Sequence, residues 1–440
     1  MKNILIKLSL LIFCFSLNSF SNSSNEIDIV QYNLEVTYDK SVHKIDVKAI
    51  LHLQKNVGTN EIDLLFSQDS KIKSIFCKDE EQWIKTGYEF KDNAVIHLII
   101  PTSLSANKEI NMSFEYEYPI NDSTSNIIYI DRGYRWYPLI IDDIAKFRIT
   151  ANVPIEFEMF STGDLVSYSH QNNFCQFIWE SKIPVFKIPF ILTKKDFYKK
   201  AVKKLQDKEL SFCFLIDDSV SNNKIIDEAC NVFQFYDTLI GAYHHNTLTF
   251  LEIPDLQGSI IGTGIILFGT DFYNQFKQGY YEGLHLTIAT QWFGAGVFGK
   301  FNGKGFWFFS NSLPHYLRLM FVEHSKGNIA FNDELKKPYE RYKEIAGTEK
   351  DIPILLINMI DTKEKGLAVY GKGPYILDIL RKQTDETRWI KFLKELYGNY
   401  QGKILTYETF RELLLKINQE MKLDIKFEKM MSEKGAINFN

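Results

Sequence analysis

Few of the side chains that carry chemistry stand in a working pattern in this 440-residue chain. Of its nine histidines, the ones worth weighing are His244 and His245 after Tyr243, His285 within an apolar segment, and His315 further on. A catalytic zinc needs about three protein ligands and an open position for water. Two of them commonly sit at i and i+4 on one helix, where both side chains share a face. A metal site built from these histidines would need a coincidence of folding, so they read as surface or hydrogen-bonded groups. Cys77, Cys175, Cys213 and Cys230 lack the close C-x-x-C spacing of a structural metal site. No G-x-S-x-G elbow is present, and Ser259 and Ser312 have no evident partner base.

The elements that must position any site fall into two halves. From residue 25 to about 195 the pattern is β. Apolar and polar residues alternate over 29–38, 44–53, 61–66, 94–100 and 110–118, as half-buried strands do, with turns at 58–60 and 121–123. Beyond 196 the character changes. Residues 211–216 and 247–253 read as strands, and 224–239 has helical spacing through Ile225, Ile226, Ala229, Val232, Phe233 and Tyr236. Helices dominate after Tyr280, among them 388–396 and 407–417. The expected class is α+β: a β-rich sandwich or saddle over 25–195, then an α/β-to-helical domain over 196–440.

Composition bounds the partners. Hydrophobic content of 45% and charged content of 24% are those of a globular protein, and the net charge of -4 argues against a nucleic-acid surface. Lys2 and Lys7, the apolar run 4–15 and the polar small residues 18–24 follow the order of a secretory signal, read here as 1–21 with cleavage after Ser21. Export would place the chain in a periplasm, at a cell surface or outside the cell. Cys14 invites a lipid anchor, but bulky Phe13 precedes it. No further run reaches the roughly 18 apolar residues that span a bilayer. The four remaining cysteines could pair in an oxidising compartment or stay as buried thiols.

The segment from Gly283 to Gly294, Gly-Leu-His-Leu-Thr-Ile-Ala-Thr-Gln-Trp-Phe-Gly, resembles the zinc helix of the aminopeptidase N family, H-E-L-A-H-Q-W-F-G. Ala289 and Gln291-Trp292-Phe293-Gly294 stand as in that family. The resemblance puts Leu286 and Thr290 where the two metal-binding histidines belong, and Thr287 where the general-base Glu belongs. Phe308-Phe309-Ser310-Asn311-Ser312-Leu313-Pro314-His315-Tyr316-Leu317 resembles W-F-S-E-G-L-T-D-Y-L, with Asn311 in place of the third, acidic ligand. A small insertion around 299–305 accounts for a slightly longer gap. Tyr370-Gly371-Lys372-Gly373 resembles Y-E-K-G and keeps the Tyr that assists the transition state. Upstream, Tyr134-Arg135-Trp136-Tyr137-Pro138, Val153-Pro154 and Ser161-Thr162-Gly163-Asp164 resemble that family's β-domain. Around Gly258–Gly264 the G-A-M-E-N loop keeps its strand and glycines but lacks the Glu that grips a free amino terminus.

The resemblance implies a thermolysin-like second domain and a cleft around Gly262, Thr263, Gly264 and Tyr370. It also implies that the zinc of the family is lost. Leu has no lone pair, Thr and Asn are poor ligands, and the base, worth about 10²–10⁴-fold, is missing. Thr287 and Thr290 are left to bond the helix backbone, Trp292 and Trp307 to pack as core aromatics, and Tyr370 to pack or to meet a ligand. The expected function is a non-catalytic peptidase homologue that binds a peptide or protein. The alternatives are a divergent active zinc aminopeptidase and a structural component of an envelope complex.

Overall fold

The computed structural model describes residues 27–437 except 93, 121–125 and 418. The expected signal segment, Cys14 and the turn at 121–123 lie outside the described residues.

Alternation, interrupted by one bulge between Ile29 and Gln31, makes the first strand. Ile29, Tyr32, Leu34, Val36 and Tyr38 are buried along Ile27–Asp39, whereas the residues between them face outward. It pairs antiparallel with Lys44–Lys55 and parallel with Lys146–Pro154. Around these an eight-stranded sheet runs in the order Asp164–Gln171, Phe174–Glu180, Lys146–Pro154, Ile27–Asp39, Lys44–Lys55, Glu109–Pro119, Lys71–Asp79 and Gln82–Lys85. Two three-stranded sheets share its core, one around Val95–Ile99 and one around Phe190–Lys194. Trp136 and Tyr137 sit at the centre of that core. The Trp136 indole donates to Ile188 O at 3.1 Å, and Tyr116 donates its hydroxyl to Trp136 O at 2.8 Å.

The second half is built on a five-stranded sheet in the order Lys199–Leu205, Lys208–Phe214, Thr247–Ile253, Ile265–Gly269 and Ser259–Gly262. Its three inner strands are parallel, and the first two, Lys208–Phe214 and Thr247–Ile253, are joined through the helix Ser219–Leu239, whose start is capped by Asp218 accepting from Ser221 N–H. Helices then take over. The short helix Glu282–Ala289 packs on the long helix Leu313–Lys343, which is kinked at Gly327 (φ 83°) and carries Pro338. Gly373–Gln383, Glu386–Tyr400, Tyr407–Ile417 and Leu423–Ser432 complete a core that is separate from that of the first half.

The strands expected from alternation lie where the pattern places them, with ends differing by a residue or two. One end shifts for a visible reason. The strand expected to reach 216 stops at Phe214, because Leu215 N–H turns to the buried carboxylate of Glu252 at 2.8 Å. The strands Lys71–Asp79 and Gln82–Lys85 escape alternation because they are rich in charge, and cross-strand ion pairs such as Lys73–Asp46 at 2.6 Å lie on that face. Cys77, Cys175, Cys213 and Cys230 are all buried free thiols, not disulfides.

The two halves meet at Ser161-Thr162-Gly163-Asp164. Gly163 N–H donates to Thr263 O at 3.1 Å. The Asp164 carboxylate accepts from Asn246 N–H at 2.8 Å and from Thr247 N–H at 3.0 Å. Burial alone would raise its pKa, but His245, the Thr247 N–H and Lys182 beside it outweigh that and hold it below the usual carboxylate range. Gly163 adopts φ +85°, and a Cβ there would lie 2.2 Å from Glu180 O.

Replacing Gly163 by Ala should therefore cost about 3 kcal/mol, from left-handed strain plus forced overlap. Gly347→Ala serves as the comparison, with φ +78° and nothing near its Cβ, and should cost about 1 kcal/mol. Denaturant midpoints at constant m-value read the difference; equal losses would show that Gly163 is not a close approach.

Candidate functional site

The helix Glu282–Ala289 and the turn after it bring the motif to the junction between sheet and helices. Thr287 and Thr290 do not project free hydroxyls. Thr287 Oγ1 donates to Leu284 O at 3.0 Å, and Thr290 Oγ1 donates to Leu286 O at 2.8 Å, as expected of Thr in a helix. Thr287 is buried, facing an apolar layer with Phe212, Phe214, Phe250 and Leu284. Leu286 is half-buried.

The residue that organises this region is Gln291, fully buried at the end of the motif. Its Nε2 donates to Gly262 O at 2.9 Å, and its Oε1 accepts from Gly264 N–H at 3.0 Å and from Tyr243 OH at 2.9 Å. Thr263 Oγ1 donates to Ala295 O at 2.9 Å. Two side chains thus lace the end of the edge strand Ser259–Gly262 to the motif. Trp292 anchors the other face, buried with its indole donating to Gly241 O at 2.9 Å.

Asn311 and Tyr370 come together from two single π-helical turns, 308–312 and 368–372. Such turns are rare and concentrate at functional sites. Ser312 Oγ donates to Val369 O at 2.6 Å, and a Cβ on Gly373 would lie 2.1 Å from that Oγ, so only glycine permits the approach. Tyr370 donates its hydroxyl to Asn311 Oδ1 at 3.0 Å, and burial pushes its pKa up to about 12. Gly294 (φ +113°) closes the gap between motif and helix; a Cβ there would meet Thr290 Cγ2 at 2.9 Å and Ser310 O at 3.1 Å.

A cavity of about 140 Å³ opens against these elements. It is lined by Ile261, Gly262, Thr263, Thr290, Gly294, Ala295 and Ser310, by Phe298, Phe301 and Phe306, and from the first half by Ile144, Phe186 and Lys187, among others. Phe186 is held by Arg132, whose guanidinium lies 4.0 Å from the ring centroid and donates to Ile141 O at 2.7 Å and Phe186 O at 2.9 Å. Gly262 and Thr263 line this cavity. Gly264 and Tyr370 are not among its lining residues: Gly264 is held by Gln291 against Gly163, and Tyr370 is turned on Asn311 with its ring 5.9 Å from His315. Ser310 lies in the motif read from the sequence, whereas Phe186 and the phenylalanines at 298, 301 and 306 are not marked there as site residues. The one signal was the glycine-rich, aromatic stretch 298–306.

The four histidines weighed in the sequence, His244, His245, His285 and His315, are buried, and His244 and His285 are hydrogen-bonded, one of the two expected states. His285 Nε2 lies 2.6 Å from Glu228 Oε1, facing away from the cavity, and its ring packs on Phe321. His315 is buried in the first turn of the long helix, and burial holds its pKa well below the usual value. His244 Nδ1 lies 2.9 Å from Tyr397 OH, and its pKa is likewise lowered by burial and by His245. Among the described residues no group of three or more His, Cys, Asp or Glu is disposed to hold a metal ion. The residues at the motif are a poor donor set for zinc: a leucine, two neutral threonine hydroxyls held on backbone carbonyls, and a neutral amide bonded to a tyrosine, with no imidazole or carboxylate among them.

By sequence the chain matches no family model and no curated protein. By shape it is similar to the M1 zinc metallopeptidase of Deinococcus radiodurans. The crystal structure of a Glu→Ala mutant of that enzyme superposes with TM-score 0.75 at 12% identity, covering 94% of this chain and 96% of that one. The crystal structure of the enzyme itself gives 0.73 at 12%, covering 92% and 94%. The mutant bound to a Tyr-Ser-Ala substrate gives 0.73 at 12%, covering 94% and 96%. The fold is that of the M1 metallopeptidases, aminopeptidase N-like, along nearly the whole described chain.

Gln291→Ala would leave Tyr243 OH, Gly264 N–H and Gly262 O without their partner. At about 1–3 kcal/mol for each stranded buried group, a loss of about 3 kcal/mol or more is expected. The exposed Gln278→Ala should stay within about 0.5 kcal/mol of the parent. Thermal or denaturant unfolding distinguishes the two; similar stabilities would mean that the carboxamide is not holding the strand.

Proposed function

We propose that this protein is an exported, non-catalytic homologue of the metallopeptidases, with a thermolysin-like second domain, that has given up zinc and binds a peptide or protein segment in the remaining cleft. The observation that carries the reading is the state of the donor positions. Leu286 has no ligand atom, Thr290 offers only a neutral hydroxyl held on Leu286 O, and Asn311 offers only a neutral amide bonded to Tyr370 OH, all weaker zinc ligands than imidazole or carboxylate. Hydrolysis of a peptide by this route needs a polarising cation or an activated water, and Thr287, buried and bonded to Leu284 O, cannot act as a base. Export rests on the n-region, apolar run and small-residue stretch of residues 1–21.

The cavity's lining supports the choice of ligand. Phenylalanines and isoleucines from both halves surround it, with Thr290, Thr263 and Ser310 as its hydroxyl-bearing residues. Apolar walls with a few placed polar groups are the usual form of a small-ligand pocket. An apolar side chain of a peptide fits that chemistry. Ile261 stands on the edge strand beside it, and the charged residues of the lining, Asp142 and Lys187, both come from the first half, with no Glu among them.

Titration calorimetry with paired peptides tests this. Peptides carrying Phe or Leu at one position should bind equally well with a free or an acetylated amino terminus, and should stay intact by mass spectrometry. Their Asp counterparts should not bind, and Ile261→Trp, which fills the cavity, should abolish binding. Release of amino-terminal residues, or binding that requires the free amine, would contradict the proposal.

A further inference from the structure

Independently of the cleft, the eight-stranded sheet ends on an edge that the protein leaves bare. The strand Asp164–Gln171 pairs with Phe174–Glu180 on one side and has no neighbour on the other. Among the described residues no backbone hydrogen bond reaches its outer edge. Every residue from Leu165 to Gln171 is exposed, including Leu165 at 44%, Val166 at 50% and Tyr168 at 52%, and Phe174 at the adjoining turn is 44% exposed.

Proteins usually blunt such edges with lysines, prolines or very short strands. This molecule does so elsewhere. The edge strand Lys199–Leu205 carries Lys199, Lys200, Lys203 and Lys204, and the opposite end of the large sheet is the four-residue strand Gln82–Lys85. The bare edge has no such guard. From Leu165 to Gln171 it reads Leu-Val-Ser-Tyr-Ser-His-Gln, without one Asp, Glu, Lys or Arg. Its bulge at Val166 lies near one end and leaves Ser167–Gln171 regular against its neighbour.

We infer that this edge pairs with the same edge of a second copy, joining two large sheets into one across a two-fold axis. The charge pattern is compatible with that occupant. Antiparallel self-pairing sets each residue against another of the same strand, so a strand with any cluster of one sign would repel its copy. Here pairing centred on Tyr168 sets Ser167 against Ser169 and Tyr168 against its own copy, with no like charges opposed. The same surface on both partners is what a two-fold dimer requires. The Tyr168 ring already leans on Phe177, 5.0 Å between centroids, and would be covered from its open side.

Analytical ultracentrifugation across a concentration series reads the result. The full exported chain should sediment at twice the monomer mass, whereas Ser167→Lys/Ser169→Lys should sediment as a monomer with an unchanged circular dichroism spectrum. Lys203→Glu at the guarded edge should leave the dimer intact. As a second measurement, Ser169→Cys treated with a short bismaleimide should give a covalent dimer that the parent, with its buried thiols, does not form. A monomeric parent at all concentrations, or a dimer that survives the double lysine variant, would overturn the inference; a monomer that instead captures a foreign extended peptide on this strand would assign the edge to another chain.

Discussion

One buried carboxamide holds the centre of this molecule. Gln291 reaches from the end of the motif helix to Gly262 O, Gly264 N–H and Tyr243 OH, and uses both ends of its amide to do so. Buried polar groups are costly unless paired, so this side chain fixes the distance between helix and edge strand far more tightly than apolar contact could. The glycines it grips in turn abut Gly163, through which the first half of the chain docks. The cleft keeps its shape because that lacing does not involve any metal ligand.

The same economy of hydrogen bonds extends to the polar side chains of the motif. Zinc is held by imidazole, thiolate or carboxylate groups, and neutral hydroxyls and amides are weak substitutes. Here each polar side chain at the corresponding positions has an internal partner: two threonines on helix carbonyls, and Asn311 on Tyr370. None of these groups is left buried and unsatisfied, so no ion is required to complete the structure. What remains beside them is an apolar cavity whose walls come from both halves, with Phe186 delivered by the Arg132 clamp.

Much of this was legible in the sequence, for reasons that differ by element. Period-two alternation marks Ile27–Asp39 and Lys44–Lys55, because one face of each is buried. Helical spacing marks Ser219–Leu239 for the corresponding reason. The motif from Ala289 to Gly294 survives because Gln291, Trp292 and Gly294 have structural duties: a bridge, an anchor and a positive-φ approach. The charged strand Lys71–Asp79 was not legible, since its stability comes from pairing and cross-strand charge and not from a clean apolar face. Nor was the aromatic lining of the cleft. Phe186 and Phe301 lie far apart in the chain, and only the docking of the two halves sets their rings 6.0 Å apart. The burial of His244 and His245 was hidden for a similar cause, as Tyr397 and Asp164, which enclose them, come from distant segments.

The central claim is that the shape of a zinc peptidase persists here without the ability to hold zinc. Its most direct measurement is equilibrium titration of the purified chain with zinc against a chromophoric chelator, followed by elemental analysis of the dialysed protein. The account predicts no competition above that of a surface-bound ion and no stoichiometric metal. One equivalent of tightly held zinc, lost when Asn311 and Thr290 are replaced by Ala, would contradict it.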